Sequence, residues 1–500
     1  LTNLIDKLPF VNATQPSQIT FNGEFAKMFA GHYQNDYGGG YSYLDDFETS
    51  RSRISLRDPY GWVLSSVPSV ILEEPGARKD SVFSGVNRAH LAWFRIESLF
   101  TRKNSSLTPS HIKNDKPQLS NHFVREVRVS ELYPNRDAAY NETSTLPVLN
   151  LSYYPTQRGA YNLDDVNINR DGTLMNPKSR WGGIARKIDG SKDFEAQNIE
   201  YIEFWLLDPF VYNHNPAPDG EGDEYKNDGG TLVFNLGEIS EDILMDGKKF
   251  FESGLPVNGD MSQVETSAWG KVPKLQVGEY AFNREKDEES LRLQDVGLNG
   301  LSTAEELVFP TYSNYLQNLS TRLSPEAIAQ FENDPFSPFN DPAGDNYHYY
   351  RGSDYDREEK SILDRYKYYN GTEGNSLGGE QNAAKLSPDV EDINQDYTLN
   401  ETEAYFEYKV PLYPDKMDIG DNEFITNIRE VSVSLPNGET ENVKWYQFNI
   451  PIREQGVKRG NISDLKSIRY MRMYLTGFEQ HTYLRFATLE LVRGDWRTYT

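Results

Sequence analysis

The twelve residues from Asp392 to Glu403 put oxygen-bearing side chains at a spacing that can hold an ion. Asp392, Asn394, Asp396, Thr398, Asn400 and Glu403 fall at loop positions 1, 3, 5, 7, 9 and 12, the ligand arrangement that a hard cation such as calcium prefers. Position 6 is expected to be glycine and is Tyr397 here, a serious departure because the sharp turn wants a residue tolerant of unusual dihedrals. A second stretch, Asn167-Ile168-Asn169-Arg170-Asp171-Gly172, has the glycine and offers Asn167, Asn169 and Asp171, but its position 12 is Lys178. The alternative at both places is an Asx-rich turn satisfied by its own backbone. Ca2+ is the cofactor these loops suggest.

Other chemistry is sparse. Seven histidines are scattered without the spacing of a zinc helix, there is no Gly-x-Ser-x-Gly elbow, and the absence of cysteine removes thiolate metal sites, cysteine nucleophiles and disulfides together. With 76 Asp and Glu, a glycosidase pair is neither found nor excluded, since such a pair is defined by its separation in space. The expectation is a protein that is not an enzyme. Trp181, in Arg180-Trp181-Gly182-Gly183-Ile184, and Tyr212 and His214, at the start of an acidic loop, are candidates for a partner or ligand surface. Trp205 lies in an apolar run and is expected to be buried.

The elements that must position these residues are announced by a repeat. Asn198 to Phe210 reads against Ser467 to Phe478, with Ile199 opposite Ile468 and Tyr201 opposite Tyr470. Thr231 to Ile239 reads against Tyr483 to Leu491 without a gap. β-Branched and aromatic residues over lengths near ten, bounded by Pro209 and Gly477, predict strands. The fold class is therefore mainly β, with two jelly-roll or galactose-binding-like β-sandwich modules and a polar, helix-containing insertion.

Further strands are predicted at 54–56, 62–64, 89–96, 124–129, 146–153, 404–410, 430–435 and 443–452, with a hairpin turn at Asn437-Gly438. Between 241 and 399 the texture is helical punctuation: Ser302 with Glu305 forms a capping-box pattern, Ser324-Pro325-Glu326 starts a helix, and another is expected from Glu358 to Tyr369. The organisation read from this is a lead-in at 1–42, a first module at 43–245 carrying the acidic loop near 211–230, a connector at 246–403 packed on the second module, and that module at 404–500.

A formal charge of -25 argues against a nucleic-acid partner, because phosphate neutralisation needs clustered Lys and Arg. No apolar run of about 18 residues is present, so no transmembrane helix is expected, although hydropathy does not exclude transmembrane β-strands. The chain opens at Leu1 without an initiator methionine, which reads as a segment of something longer.

Several stretches resemble the SprA/Sov family of giant outer-membrane proteins of Bacteroidetes, associated with gliding motility and the type IX secretion system. They are Ser42 to Glu48, Arg180 to Ile184, Asp193-Phe194 with Asn198 to Phe210, Leu232 to Ile243, Pro388 to Asn394, and Arg485 to Trp496. The resemblance implies a soluble, non-catalytic segment of a translocon whose remainder is a very wide β-barrel. It implies as partners the rest of the barrel chain, a PorV-like barrel, a plug protein and folded secreted cargo. The expected place is the outer membrane, as a cap on its extracellular face, with the periplasmic face as the alternative. Asp80-Ser81-Val82 resembles the short O-glycosylation signal of these bacteria. The competing function is a carbohydrate-binding or adhesive surface module, since jelly rolls commonly host sugar sites.

Overall fold

Both faces of the central strands are buried, and this explains why they read as unbroken apolar runs rather than alternating ones. The computed structural model describes residues 53–494 apart from 74–80, 102–104, 136–143, 221–224, 249–254, 256–260, 275–281, 283–292 and 377–384. The expected lead-in, the Ser42 to Glu48 stretch, Asp80 and Trp496 lie outside the described residues.

The described strands are β1 (Arg53–Ser55), β2 (Val63–Leu64), β3 (Ala89–Phe94), β4 (Val127–Arg128), β5 (Thr145–Leu146), β6 (Leu149–Arg158), β7 (Trp181–Lys187), β8 (Ile199–Leu207) and β9 (Gly230–Glu238). They continue as β10 (Val264–Thr266), β11 (Lys271–Pro273), β12 (Ala404–Leu412), β13 (Ile425–Ser434), β14 (Thr440–Pro451), β15 (Val457–Arg459), β16 (Tyr470–Thr476) and β17 (Thr482–Arg493). One sheet has the order β13-β14-β8-β17-β6-β3, with β1 also on β17, and the other has β15-β12-β9-β16-β7-β2. Every ladder is antiparallel, and the pairs β4–β5 and β10–β11 form two small hairpin-like sheets. The protein is mainly β, as expected.

The repeat is real in topology, but its copies do not stand apart. In the first sheet β14, β8, β17 and β6 come alternately from the second and first halves of the chain, and in the second sheet so do β12, β9, β16 and β7. The matched strands β8 and β16 each pair with the matched partner from the other copy, β8 with β17 and β16 with β9. The expected modules at 43–245 and 404–500 therefore give way to one pair of sheets, and the described residues form one compact unit.

The physical reason is the shared core. Phe204 and Phe234 from the first half meet Phe448 and Phe486 from the second, with Phe204 stacked on Phe448 at 4.7 Å and an interplanar angle of 12°. Phe448 and Phe486 give Phe204 aromatic contact from both of its neighbouring strands, β14 and β17, each of which the other half of the chain supplies.

The outer faces are covered as well. Trp205, Leu207, Trp445 and Tyr483 on one side pack with Phe100, Phe123 and Tyr366. On the other, Trp181, Val233 and Tyr474 pack with Val67 and Ile71.

The connector docks differently from expectation. Tyr312, Tyr315, Leu319 and Leu323 of the helix Pro310–Arg322 and its end join the central core together with Tyr161, Leu163 and Ile168, so the insertion leans on first-half residues beyond β6. Arg158 at the end of β6 donates to the backbone carbonyls of Asp341 and Pro342, and the Tyr161 N–H reaches the Ala343 carbonyl at 2.6 Å. The punctuation was legible: Glu305 accepts the Ser302 N–H at 3.2 Å, and the Ser324 hydroxyl caps the helix Pro325–Asn333 at the Ala327 N–H. The expected helix from Glu358 to Tyr369 is shorter, Ile362–Tyr366, because the backbone at Glu359 turns left-handed with φ 53°.

Candidate functional site

The loop from Asp392 is built from the turns its sequence suggests. The Asp392 carboxylate accepts the N–H groups of Asp396 at 3.1 Å and Tyr397 at 2.8 Å, and Asp396 accepts those of Thr398, backbone and hydroxyl. Asn394 Oδ1 accepts the Asp396 N–H, and Asn400 Oδ1 accepts that of Thr402. Tyr397 adopts φ 67°, the conformation for which glycine was expected.

The closing ligand is elsewhere. Glu403 turns to the fully buried Arg472, which it meets with both oxygens at 2.9 and 2.8 Å. Burial works against the Arg472 charge, and Glu403 more than offsets it. Glu241 enters the loop from outside and takes the N–H groups of Ile393, Asn394 and Asn400, while burial pushes its own carboxyl up to about 7. The loop's side-chain oxygens are thus engaged by its own N–H groups, and Glu403, just before β12, is held by Arg472.

Asn167, Asn169 and Asp171 lie in a similar web of turns. Asp171 accepts the Thr173 N–H at 2.9 Å and its hydroxyl at 2.7 Å, Asn169 donates to the Thr173 hydroxyl, and the Asn167 N–H and amide go to Asp164. Asp164 is itself paired with the buried Arg180 at 2.9 Å.

The candidate surface residues part company. Trp181 is 0% exposed, with its ring edge against Tyr474 and Arg88 over its face at 5.4 Å, and Tyr212 is 1% exposed with its hydroxyl accepting the His122 N–H at 2.6 Å. Neither presents a surface: Val67 and Ile71 pack with Trp181 on β7, and Tyr212, in the turns after β8, packs against Phe123 and Tyr225. His214 is exposed. Trp205 is buried, as expected.

What the sequence did not single out is a cluster of carboxylates inside the connector. Glu306 at the end of the helix Thr303–Glu306, and Asp341 and Asp345 at the two ends of the turn Asp341-Pro342-Ala343-Gly344-Asp345, bring ligand oxygens within 4.8 Å of one another. Their exposures are 0%, 2% and 1%. Glu306 accepts the Asn299 amide at 2.6 Å and the Ala343 N–H at 3.0 Å, and Asp341 accepts the N–H groups of Gly344, Asp345 and Asn346. Asp345 Oδ2 accepts the Tyr161 hydroxyl at 2.7 Å. Burial raises all three carboxyls, and at Asp345 the Glu306 and Asp341 charges add to it. The signal in the sequence was an Asp at each end of a Pro- and Gly-containing turn, with Gly344 at φ 74°.

No helix among the described residues is long and apolar enough to cross a membrane. The family model SprA_N, described as a motility related/secretion protein, matches residues 314–500. No curated protein matches the chain. The matched span ends with β12 to β17, which are divided between both sheets and need β6 to β9 to complete them.

Proposed function

We propose, from the premise that this chain belongs to the SprA/Sov family of motility related and secretion proteins, that it is a non-catalytic rigid segment of an outer-membrane protein-conducting translocon. It caps the extracellular mouth of the barrel and narrows the way out for folded cargo. Its partners are the barrel chain, a PorV-like barrel, a plug protein and the secreted proteins themselves. The acidic surface, part of a formal charge of -25, limits sticking of cargo that passes in a folded state.

One observation carries the reading. Among the described residues the first strand of the sheets is β1 and the last is β17, and these two pair antiparallel with Arg53 opposite Val492. A folded unit whose way in and way out are neighbours can be carried between adjacent strands of a larger wall without disturbing their spacing. The single fused core makes that unit stiff, as a gate requires. Trp181 and Tyr212 are buried and so supply no platform for the alternative, a carbohydrate-binding or adhesive surface module.

The test has two arms. Deleting 53–494 from the parent protein while keeping the barrel should abolish or deregulate export and gliding, and normal secretion by that strain would sink the proposal. Because the chain has no cysteine, one introduced at the 77% exposed Val308 reports its side of the membrane. Labelling of intact cells by an impermeant maleimide is expected for the cap, and labelling only after lysis would move the segment to the periplasmic face.

A further inference from the structure

Three carboxylates inside a protein need compensation, since each buried charge costs several kcal/mol unless paired. Among the described residues no Lys or Arg forms an ion pair with Glu306, Asp341 or Asp345; the nearest cation, Arg158 on the Asp341 and Pro342 carbonyls, favours the ionised Asp341 but leaves the other two carboxylates without a positive neighbour. Their backbone and amide donors suit the ionised form, as three N–H groups on Asp341 show. One oxygen is left over: Asp345 Oδ1 is buried and has no hydrogen-bond partner, while Oδ2 of the same carboxylate takes the Tyr161 hydroxyl. A buried carboxylate oxygen without a donor, on the residue round which two other carboxylates gather, is a position that a cation would satisfy.

We propose that Glu306, Asp341 and Asp345 bind one calcium ion that staples the connector to the sheets. The donors are all oxygen, with no histidine or cysteine among them, which selects a hard cation over zinc. Burial of the three side chains leaves little room for the waters magnesium keeps, and the irregular set of donors suits calcium's looser geometry. Gly297 lets the Asp345 carboxylate take its place in the cluster, because a Cβ there would collide with Asp345 Oδ2. A cleft of about 250 Å3, lined by Arg158, Asp341 and Gly344 among others, leads to the edge of the cluster.

The ion would join three separate pieces of chain: the helix ending at Glu306, the turn 341–345, and through Tyr161 the segment beyond β6. This differs from the loop at Asp392, whose twelfth-position carboxylate is held by Arg472.

The experiment uses the full 500-residue chain stripped with chelator, then titrated with calcium and, separately, with terbium, whose emission is sensitised by a neighbouring tyrosine such as Tyr161. Expected are one ion per chain, a rise in melting temperature with calcium, and loss of both in Asp345→Asn and Glu306→Gln, with affinity down at least about tenfold. Both variants should still fold, since they remove charge from a buried cluster, and their melting temperature in chelator should equal or exceed that of the parent. Asp396→Asn, in the other loop, should leave binding intact. An unchanged melting curve with calcium, binding that survives in Asp345→Asn, or binding lost instead in Asp396→Asn would each overturn the proposal and leave the cluster as carboxyls sharing protons.

Discussion

Glu203 on β8 and Arg472 on β16 hold the same place in the two copies of the repeat, each four residues after its matched isoleucine, and they carry opposite charge in buried strands. Glu203 faces Glu490 of β17, and Arg53 of β1 bridges the two at 2.6 and 2.7 Å. Arg472 faces Asn235 of β9, donates to its amide oxygen at 2.7 Å and pairs with Glu403. A charge is kept at this position in both sheets, and its partner changes sign with it.

Removing one member of the buried pair leaves the other uncompensated. Arg472→Met is expected to cost about 3–5 kcal/mol in urea unfolding, and adding Glu403→Gln should recover much of it. Arg53→Ala should cost less, because Arg53 is more than a third exposed and solvent screens its pairs.

His122 gives the fold an acid-sensitive point. Arg125 Nε donates to its Nδ1 at 2.9 Å, so the ring is neutral with its proton on Nε2, which donates to Glu441 at 2.8 Å. Burial, then the Arg125 and Arg485 charges, pull its pKa down to about 3. A histidine held neutral contributes its full stability above the ordinary value of 6.5 and loses it as the pH falls from there toward about 3, by about 1.4 kcal/mol per pH unit. Urea midpoints taken across that window should fall for the parent and fall less for His122→Gln.

Because each sheet takes alternate strands from both halves, neither half should fold alone. Residues 43–245 and 404–500 made separately are expected to lack cooperative unfolding by circular dichroism, and a stable, cooperative 404–500 fragment would refute the interleaving. Phe204→Ala, at the stack that joins the halves, should cost about 3–5 kcal/mol.

Gly229 precedes β9 with φ 94°, and a Cβ there would collide with the Leu412 carbonyl of the neighbouring β12. Gly229→Ala is therefore expected to lower stability by more than about 1 kcal/mol, measured by thermal melting. Gly190, with φ 79° but nothing near its Cβ position, should tolerate alanine better.

The repeated strands were legible because burial on both faces gives long apolar runs, and Asn437-Gly438 was legible because a turn's dihedrals demand those residues. The identity of a strand's neighbour was not, since periodicity says which faces are buried and nothing of whose strand lies beside. β7 escaped notice because Gly182 and Gly183 do not look like strand residues. They are glycine because Tyr153 and Tyr474 press on them, with Cβ positions at 2.9 and 2.7 Å from those side chains. The strand expected at 124–129 shrinks to Val127–Arg128, because Asn121 holds the preceding segment in turns, its carbonyl accepting from Val124 and Arg125. Trp181 could not be placed from its type alone, since tryptophan suits a core and a contact surface equally. The carboxylate cluster was hidden by distance along a chain rich in acids.

The pairing of β1 with β17 also decides how the molecule bears load. Tension applied where the backbone enters and leaves would open the Arg53, Ile54 and Ser55 contacts one after another, like a zip, rather than shearing them together. A three-residue strand peeled in that way yields early and lets the attachment lengthen, while the interlocked sheets behind it, whose strands cross between halves, stay whole.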